Sequence, residues 1–297
     1  AAGPARAAAP AITAAPGARS WGIDDFGCRP SPAHPRPLIL LHGTFTNPVD
    51  QWPVGGPYFA QRGYCVFELD YGQYEGIALV HGIAPIEDSA GQLAAYVDRV
   101  LAATGAQQVD IVGHSQGGGA LPRYYLKFLG GAPKVHTLVG IAPTNHGGTA
   151  SGVFTLAQQI PGATRVLGTA CPACVEQFVG SDFNRRLDAG GDTVPGVHYT
   201  TVVSRLDEVV TPVSNQFLAG PDVHNVVVQD LCPLDVSEHV LIGTVDGVAF
   251  HEAANALDPA HATPTTCADL LSGVTGLIGP GALIDLGGIT KALPGVL

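Results

Sequence analysis

Short runs of β-branched and other apolar residues recur along this chain of 297 residues, each bounded by turn residues. Between the second and third runs, apolar residues within 86–101 follow the spacing of one helical face. Strands that alternate with helices in this way predict a mainly parallel sheet with helices on both faces. The predicted strands are residues 38–41, 65–69, 109–112, 135–141, 199–203 and 225–229.

The alternation breaks between residues 144 and 196. This interval holds two possible helices, 153–160 and 177–187, and we interpret it as a cap insertion that lies over the sheet. The chain has no internal linker, so residues 21–297 are predicted to form one domain. Residues 1–20 form an Ala/Pro/Gly tract that we expect to be disordered.

Charge and hydropathy exclude two classes of partner. With 25 acidic and 14 basic residues the formal net charge is -11, which repels phosphate backbones, so nucleic acid is a poor partner. The most apolar segment, 270–297, is broken by glycines, Pro280, Asp285 and Lys291 and falls short of the roughly 18 uninterrupted apolar residues of a membrane span. We therefore expect no transmembrane segment and a soluble protein.

The six cysteines indicate an oxidising compartment. An even number permits three disulfides in 15 connectivities, which the sequence alone does not separate, and six free buried thiols are the alternative. Because the chain starts without Met and the tract 1–20 resembles one that follows a removed signal peptide, we expect a secreted protein.

One serine lies between glycines in the stretch VDIVGHSQGGG. Gly113 and Gly117 flank Ser115 in the spacing G-x-S-x-G, directly after a predicted strand and before a helix predicted over 116–129. A sharp strand-to-helix turn with small neighbours is what exposes a nucleophilic serine. We therefore interpret Ser115 as a nucleophile, the alternative being a serine in a glycine-rich turn.

A serine hydroxyl needs a base and a carboxylate, which should follow at the carboxyl ends of other strands. Asp207 follows the strand 199–203, and His239 follows the last predicted strand across a loop, whereas His224 precedes that strand at the wrong end. We predict Asp207 and His239 for these roles. The alternatives are Glu208 for the acid, or both acids as turn caps, and His251 for the base, with His239 merely starting a helix.

Acyl transfer also needs hydrogen-bond donors for the oxyanion that develops in the reaction. The backbone N–H of Gln116, at the start of the helix, is one expected donor. Thr44, in the loop after the first strand, can offer its N–H and its hydroxyl. The alternative for this loop is a simple strand-ending turn.

Taken together, these motifs resemble those of secreted α/β-hydrolase lipases, most closely the Candida antarctica lipase B type and its bacterial, actinobacterial-type relatives. The resemblance spans roughly residues 28–267 with the motifs in the same order. They are His42-Gly43-Thr44, Gly113-His114-Ser115-Gln116-Gly117-Gly118, Ile141-Ala142-Pro143, Leu206-Asp207-Glu208-Val209-Val210, Pro212-Val213-Ser214 and the segment from Cys232 to His239.

The resemblance implies an α/β-hydrolase fold and a carboxylic ester hydrolase, with the roles of nucleophile, acid, base and oxyanion donors as above. It implies triacylglycerols or other medium- to long-chain esters as substrates, with a lipid–water interface as one place where the protein would act. The predicted mechanism requires neither a metal nor an organic cofactor. We also expect a monomer. The disulfides that it implies are Cys28–Cys65, Cys232–Cys267 and, as a short local bridge, Cys171–Cys174.

Other readings stay open within this class. Polyester hydrolysis, amide hydrolysis and acyl transfer would use the same residues, and a non-catalytic extracellular binding protein would use the same scaffold. The residues Phe154, Leu156, Ile160 and Val166 and the apolar stretch 270–283 are candidates for a pocket mouth or a mobile lid, with core packing as the alternative.

Three positions depart from the pattern that the resemblance implies. Thr144 stands where the lipase B type has an acidic residue, and His114 makes the serine motif a regular G-x-S-x-G, which the lipase B type lacks. Pro122 falls inside the predicted nucleophile helix, where we expect it to remove an N–H bond and kink the chain. We therefore expect an acyl pocket that differs from that of the lipase B type.

Overall fold

The computed structural model describes residues 22–74, 76–77 and 80–272, without the side chains of residues 156 and 157. The predicted N-terminal tract 1–20 and residues 273–283 of the apolar stretch therefore lie outside the described residues. The strands are β1 Leu38–Leu41, β2 Val66–Leu69, β3 Val109–His114, β4 Val135–Ile141, β5 His198–Val203 and β6 Val223–Val227.

The six strands form one parallel sheet in the order β2-β1-β3-β4-β5-β6. This confirms the predicted sheet. The prediction was wrong by two residues at β6, because the chain turns into a short helix at Val228, whose apolar side chain stays buried without extending the strand. His224 consequently lies inside β6 and does not precede it, although it is still close to the amino end of that strand.

Helices connect the strands, and short 3₁₀ turns supplement them. The α-helices are α1 Pro48–Gln51, α2 Gly55–Ala60, α3 Ile86–Thr104, α4 Ala120–Phe128, α5 Val153–Gln159, α6 Ala163–Ala170, α7 Pro172–Glu176, α8 Asp182–Asp188, α9 Val228–Leu231, α10 His239–Thr244 and α11 Gly247–Leu257. The 3₁₀ segments are Ser115–Gly118, Ala132–Lys134, Val213–Gln216, Pro259–His261 and Cys267–Leu271.

Each face of the sheet has its own apolar core, because successive side chains of a strand point to opposite sides. On one face, Ile39 and Leu41 pack with residues of α3, α4 and α8. On the other, Leu38 and Leu40 pack with residues of α2, α10 and α11. The sheet is thus covered on both sides, and its carboxyl edge is the part left to carry polar loops.

The predicted nucleophile helix 116–129 is divided in two. The 3₁₀ segment Ser115–Gly118 ends at Gly119, which has non-helical φ and ψ of -129° and -94°, and α4 then begins at Ala120. Pro122 therefore lies in the first turn of α4, where N–H groups have no acceptor within the helix. The expected lost hydrogen bond and kink at Pro122 were wrong for this reason.

Four helices, α5 to α8, lie in the predicted cap interval. The helix predicted over 177–187 begins only at Asp182, because the hydroxyl of Ser181 accepts a hydrogen bond from the N–H of Asn184 and caps it there. None of the helices in the described ranges has both the length and the apolar composition needed to cross a bilayer.

Three disulfides join the six cysteines, in the pairs that the resemblance implies. Two of them close loops with sequence separations of 37 and 35 residues, and the third closes a local turn at the start of α7. The pairs are Cys28–Cys65, Cys171–Cys174 and Cys232–Cys267.

Candidate active site

Ser115 lies in the turn between β3 and the helical segment that follows. Its backbone has φ of 54°, a left-handed conformation that residues other than glycine seldom adopt and that is retained mainly at functional sites. The flanking glycines permit this turn, because a Cβ on Gly113 would run into the carbonyl of Gly117, and a Cβ on Gly117 would run into the carbonyl of His42. The spacing G-x-S-x-G is thus a steric requirement of this turn.

The structure brings Ser115, His239 and Asp207 into one hydrogen-bonded chain. The Oγ atom of Ser115 lies 3.1 Å from Nε2 of His239, and Nδ1 of the same imidazole lies 2.7 Å from Oδ2 of Asp207. All three residues are buried. They come from the loops after β3, β5 and β6, which end at the same edge of the sheet.

The carboxylate of Asp207 is held in its ionised form. Burial raises its pKa, but the hydrogen bond from His239 and the charge of a protonated imidazole lower it, as do the N–H groups of Val209 and Val210, each 2.8 Å from Oδ1. The net effect is a pKa below the usual range of an aspartate. Gln216 donates a further hydrogen bond to Oδ2 at 3.1 Å. Asp207 can therefore orient and stabilise an imidazolium.

The alternatives for acid and base lie elsewhere. Glu208 contacts the backbone N–H of His239, at 3.4 Å, and not its imidazole. His251, on α11, has its ring nitrogens next to Thr263 and Asp269, at 2.9 and 3.1 Å. Neither residue therefore has the contacts of its predicted alternative role.

Thr44 and Gln116 meet beside Ser115. The side-chain Nε2 of Gln116 donates to Oγ1 of Thr44 at 2.8 Å and also to the carbonyl of Gly82. A second amide, that of Gln177, donates to the same Oγ1 at 2.9 Å and to the carbonyl of Ala173. Because a hydroxyl oxygen has two lone pairs, both are occupied, and the hydroxyl proton of Thr44 is available to donate elsewhere.

Gln177 was missed by the sequence analysis. It lies in the cap interval, 133 residues from Thr44, in a stretch without any motif, so no local signal could have identified it. The backbone N–H of Gln116 is in the first turn of the 3₁₀ segment, where N–H groups lack acceptors within the helix. Two donors, one N–H and one O–H, are thus supplied by the two residues predicted for the oxyanion.

Large apolar side chains are exposed in several segments that follow the strands in sequence. Among the cap candidates, Val166 and Ile160 are 71% and 53% exposed, so the core-packing alternative does not hold for them, whereas Phe154 packs against Phe178 with 4.7 Å between ring centroids. Most other exposed large apolar residues of the described chain also follow a strand's carboxyl end. They are Phe45, Val49, Ile77, Val153, Val179, Leu206, Leu234, Val236, Val240 and Leu241.

One group of described residues has the donors of a metal site. The candidate ligand atoms of His146, Asp188 and Asp192 lie within 4.8 Å of one another. The buried guanidinium of Arg123, however, lies 3.3 Å from Asp188 and 3.4 Å from Asp192 and places a positive charge where a cation would sit. Together with His146, Arg123 makes this group an ion-pair network between α4, α8 and the loop after β4.

Comparisons with known proteins show which family the chain belongs to. Residues 35–242 match the sequence model of the lipase (class 2) family. The chain is 33% identical over 164 residues to triacylglycerol lipases of Pseudarthrobacter phenanthrenivorans and of Burkholderia plantarii. The match covers 52% of this chain in both cases and 47% and 42% of those proteins, so the chain spans less than half the length of these relatives.

Solved structures share the fold. Aspergillus fumigatus lipase B superposes with a TM-score of 0.61 at 22% identity, over 81% of this chain and 56% of that one. The mature Bacillus licheniformis lipase BlEst2 superposes with a TM-score of 0.52 at 17% identity, over 72% of this chain and 89% of that one. The chain therefore has the α/β-hydrolase fold that the resemblance implies.

Proposed function

Because the chain belongs to the class 2 lipase family, we propose that it hydrolyses carboxylic esters, with Ser115 as nucleophile, His239 as base and Asp207 as the acid that orients the base. The observation that carries this proposal is the buried chain of two hydrogen bonds, 3.1 and 2.7 Å long, that ends on a serine in left-handed backbone conformation. This arrangement is the one that activates a serine hydroxyl.

The reaction proceeds through an acyl-enzyme. His239 takes the hydroxyl proton as Oγ of Ser115 attacks the ester carbonyl, and the imidazolium is stabilised by the carboxylate of Asp207. The imidazolium then protonates the departing alcohol, which leaves the acyl group on Ser115. Water, deprotonated by the same imidazole, attacks this ester and releases the acid, which restores the free serine.

The negative charge on the carbonyl oxygen is met by Thr44 and Gln116. The N–H of Gln116 and the hydroxyl of Thr44 donate to it, and the hydroxyl is directed there because two amides occupy its lone pairs. Donors that are already oriented in the free enzyme need no rearrangement during the reaction, and each is worth roughly 100- to 1,000-fold in rate.

The substrate that fits best is a water-insoluble ester of medium to long chain, such as a triacylglycerol. Leu234 and Val236, each 74% exposed, precede the base on its own loop, and Val240 follows it at 54% exposed. Apolar side chains exposed this close to the site are unfavourable in contact with water and favour contact of the site entrance with a lipid surface. Both known relatives named above are triacylglycerol lipases. The disulfides favour action outside the cell.

The nucleophile is tested by labelling with a fluorophosphonate and mapping the adduct. We expect an adduct on Ser115 in the native protein and none in the Ser115→Ala variant or after heat denaturation. An adduct on another serine, or no adduct, would refute the proposal and leave a binding protein on a hydrolase scaffold. His239→Ala should remove nearly all hydrolysis of p-nitrophenyl butyrate, and the matched change His251→Ala should not.

The substrate class is tested by comparing emulsified triacylglycerols with soluble p-nitrophenyl esters of increasing chain length. The paired change Leu234→Ser and Val236→Ser should lower the rate on emulsions more than the rate on the soluble butyrate ester. Equal losses on both substrates would contradict a lipid-facing surface. Product analysis with polyester film, with amides and with alcohols as acceptors separates the related activities.

A further inference from the structure

The loop that follows β2 contacts the surroundings of both residues predicted for the oxyanion. The N–H of Phe45, directly after Thr44, donates to the carbonyl of His81 at 2.9 Å. The side-chain amide of Gln116 donates to the carbonyl of Gly82 at 2.8 Å. Two successive carbonyl groups of this loop, outside every motif of the sequence, therefore hold the neighbourhood of both donors.

The loop after β2 lies very close to residues 42–45, which we call the oxyanion loop. Gly82 has φ of 67°, and a Cβ there would lie 2.7 Å from the carbonyl oxygen of Gly43 and 3.2 Å from Cα of Thr44. Only glycine combines this left-handed conformation with so close an approach. Because the two backbones are in contact, displacement of Gly82 would displace Thr44 as well.

The side chain of His81 ties this loop to the end of β2. Its Nδ1 atom donates to Oδ1 of Asp70 at 2.6 Å, and Asp70 directly follows Leu69, the last residue of the strand. The imidazole is 17% exposed and the carboxylate 44%. A hydrogen bond to an ionised carboxylate is shorter and stronger than one between neutral groups. The pair takes no part in the proposed proton transfers, and its contact fixes the backbone of His81 relative to the sheet.

The next residue, Tyr71, holds the oxyanion loop through a fully buried imidazole. The N–H of Tyr71 donates to Nε2 of His42 at 3.3 Å, so Nδ1 of this ring carries its proton and donates to the carbonyl of Gly43 at 2.8 Å. The phenol of Tyr71 donates to the carbonyl of His42 at 2.6 Å. Asp70 and Tyr71 thus fix the oxyanion loop from one side and the carbonyl of His81 from the other.

We propose that His81, held by Asp70, is a positioning residue that keeps the oxyanion donors in place. This inference rests on the proposed function, because the placement of Thr44 and Gln116 matters only if they bind an oxyanion. His81 acts through two backbone carbonyls, its own and that of Gly82, which bind the oxyanion loop and the amide of Gln116. The oxyanion develops only after the ester is bound, so a displaced donor lowers kcat and leaves KM unaltered.

The first test compares two replacements of His81 by steady-state kinetics on p-nitrophenyl butyrate. His81→Leu removes the donor to Asp70, whereas in His81→Asn the amide nitrogen takes the place of Nδ1 and restores it. We expect kcat to fall by about 10- to 100-fold in His81→Leu, with KM unaltered, because the donors are displaced and not removed. His81→Asn should retain most of the native kcat. The matched control is His224→Leu, at an exposed imidazole near the amino end of β6, which should leave kcat unaltered.

The role of the ion pair is tested by a double-mutant cycle. Asp70→Ala should lower kcat as much as His81→Leu does, and the double variant should be no slower than either single variant, because both changes break the same hydrogen bond. Losses that multiply in the double variant would contradict the proposal, since the two residues would then act independently.

A second readout separates the oxyanion from general damage to the fold. Sulfur is a weak hydrogen-bond acceptor, so the thiono analogue of the substrate, with C=S in place of C=O, gains little from the donors of Thr44 and Gln116. The ratio of kcat for the oxoester to kcat for the thionoester does not depend on the fraction of folded enzyme. This ratio should fall by about 10-fold in His81→Leu and remain native in His81→Asn and His224→Leu. A native ratio in His81→Leu would overturn the inference.

The last readout does not depend on catalysis. Because its N–H is bonded to the carbonyl of His81, the amide of Phe45 should exchange with solvent about 10-fold faster in His81→Leu than in native protein or in His81→Asn. Equal exchange in all three proteins would also refute the positioning role. If the native protein neither hydrolysed esters nor reacted with fluorophosphonate, while exchange at Phe45 still responded to His81→Leu, the proposed function would be wrong and the link between His81 and the oxyanion loop would remain.

Discussion

The imidazole of His114 is hydrogen-bonded to the backbone of His239, with 2.8 Å between Nε2 and the carbonyl oxygen. His114 directly precedes Ser115, so one side chain links the neighbour of the nucleophile to the residue that supplies the base. The same imidazole contacts Gln51, whose amide donates to the carbonyl of Gly243 at 2.8 Å. Both ends of α10 are therefore tied to the turn that holds Ser115.

His114→Ala should lower kcat by about 10- to 100-fold with little change in KM, because small displacements of a general base cost that much and the binding surface is untouched. Burial, and to a lesser extent the charge of His239, lower the pKa of His114 to about 3, so the imidazole is neutral and its replacement should not alter the pH profile. Steady-state kinetics on p-nitrophenyl butyrate give both quantities. His136→Ala, at the opposite end of the sheet, is the control, and a pure KM effect in His114→Ala would contradict this account.

Asp207→Asn should lower kcat by about 10⁴-fold, because an amide at this position favours the wrong imidazole tautomer. Glu208→Gln should cost less than about 10-fold, since Glu208 contacts only the backbone N–H of His239. The measurement is kcat for the two variants, normalised to the concentration of folded protein. Comparable losses in both would mean that the two acids share the role.

The proximity of Ser115, Asp207 and His239 could be predicted because each follows a strand whose apolar run is recognisable in the sequence, and strand ends of a parallel sheet meet at one edge. The contacts of Gln51 and Gln177 could not, since they join residues 192 and 133 positions apart and carry no periodic signal.

The ends of strands and helices were predicted wrongly where the burial of a residue does not determine its backbone conformation. Val228 is as apolar as a strand residue and fully buried, yet it starts a helix. The effect of Pro122 was predicted wrongly because the predicted helix is interrupted at Gly119. That interruption depends on the backbone dihedral angles of Gly119, which a run of three glycines does not specify. The burial of Asp235 and Asp246 is likewise a product of tertiary packing, and aspartate in a loop ordinarily predicts exposure.

Stability should decline on the alkaline side through His146. Its hydrogen bonds to Asp188 and then Asp192 raise its pKa to about 9, above the ordinary 6.5. A raised pKa means that the folded state prefers the protonated form, so this stabilisation is complete below pH 6.5 and is lost as the pH rises through 9. The free energy of unfolding of native protein should fall over that window by up to about 3 kcal/mol.

The measurement is urea unfolding at pH 6 and pH 9.5 for native protein and His146→Gln. In His146→Gln, most of the difference in the free energy of unfolding between the two pH values should be lost. His261→Gln changes a side chain that is 81% exposed and should retain this difference. Burial, and then the charge of Asp235, raise the pKa of Asp246 to about 7. Because Asp246 titrates in every variant of this set, its contribution to the free energy of unfolding cancels in the comparison. If the free energy of unfolding changed equally between the two pH values in native protein and in His146→Gln, the ion-pair network would contribute nothing to the pH dependence over this range.

Gln177 should act on catalysis only through Thr44. If its amide directs the hydroxyl proton of Thr44 to the oxyanion, Gln177→Leu should lower kcat by about 10-fold, the worth of one hydrogen bond, and Thr44→Val should lower it by roughly 100-fold. The double variant should then be no slower than Thr44→Val alone, because Gln177 has no remaining hydroxyl to orient. This double-mutant cycle, measured as kcat on p-nitrophenyl butyrate, separates orientation from independent contributions, for which the two losses would multiply. Asn184→Leu, another buried amide of the cap interval that does not contact Thr44, controls for general damage to that interval.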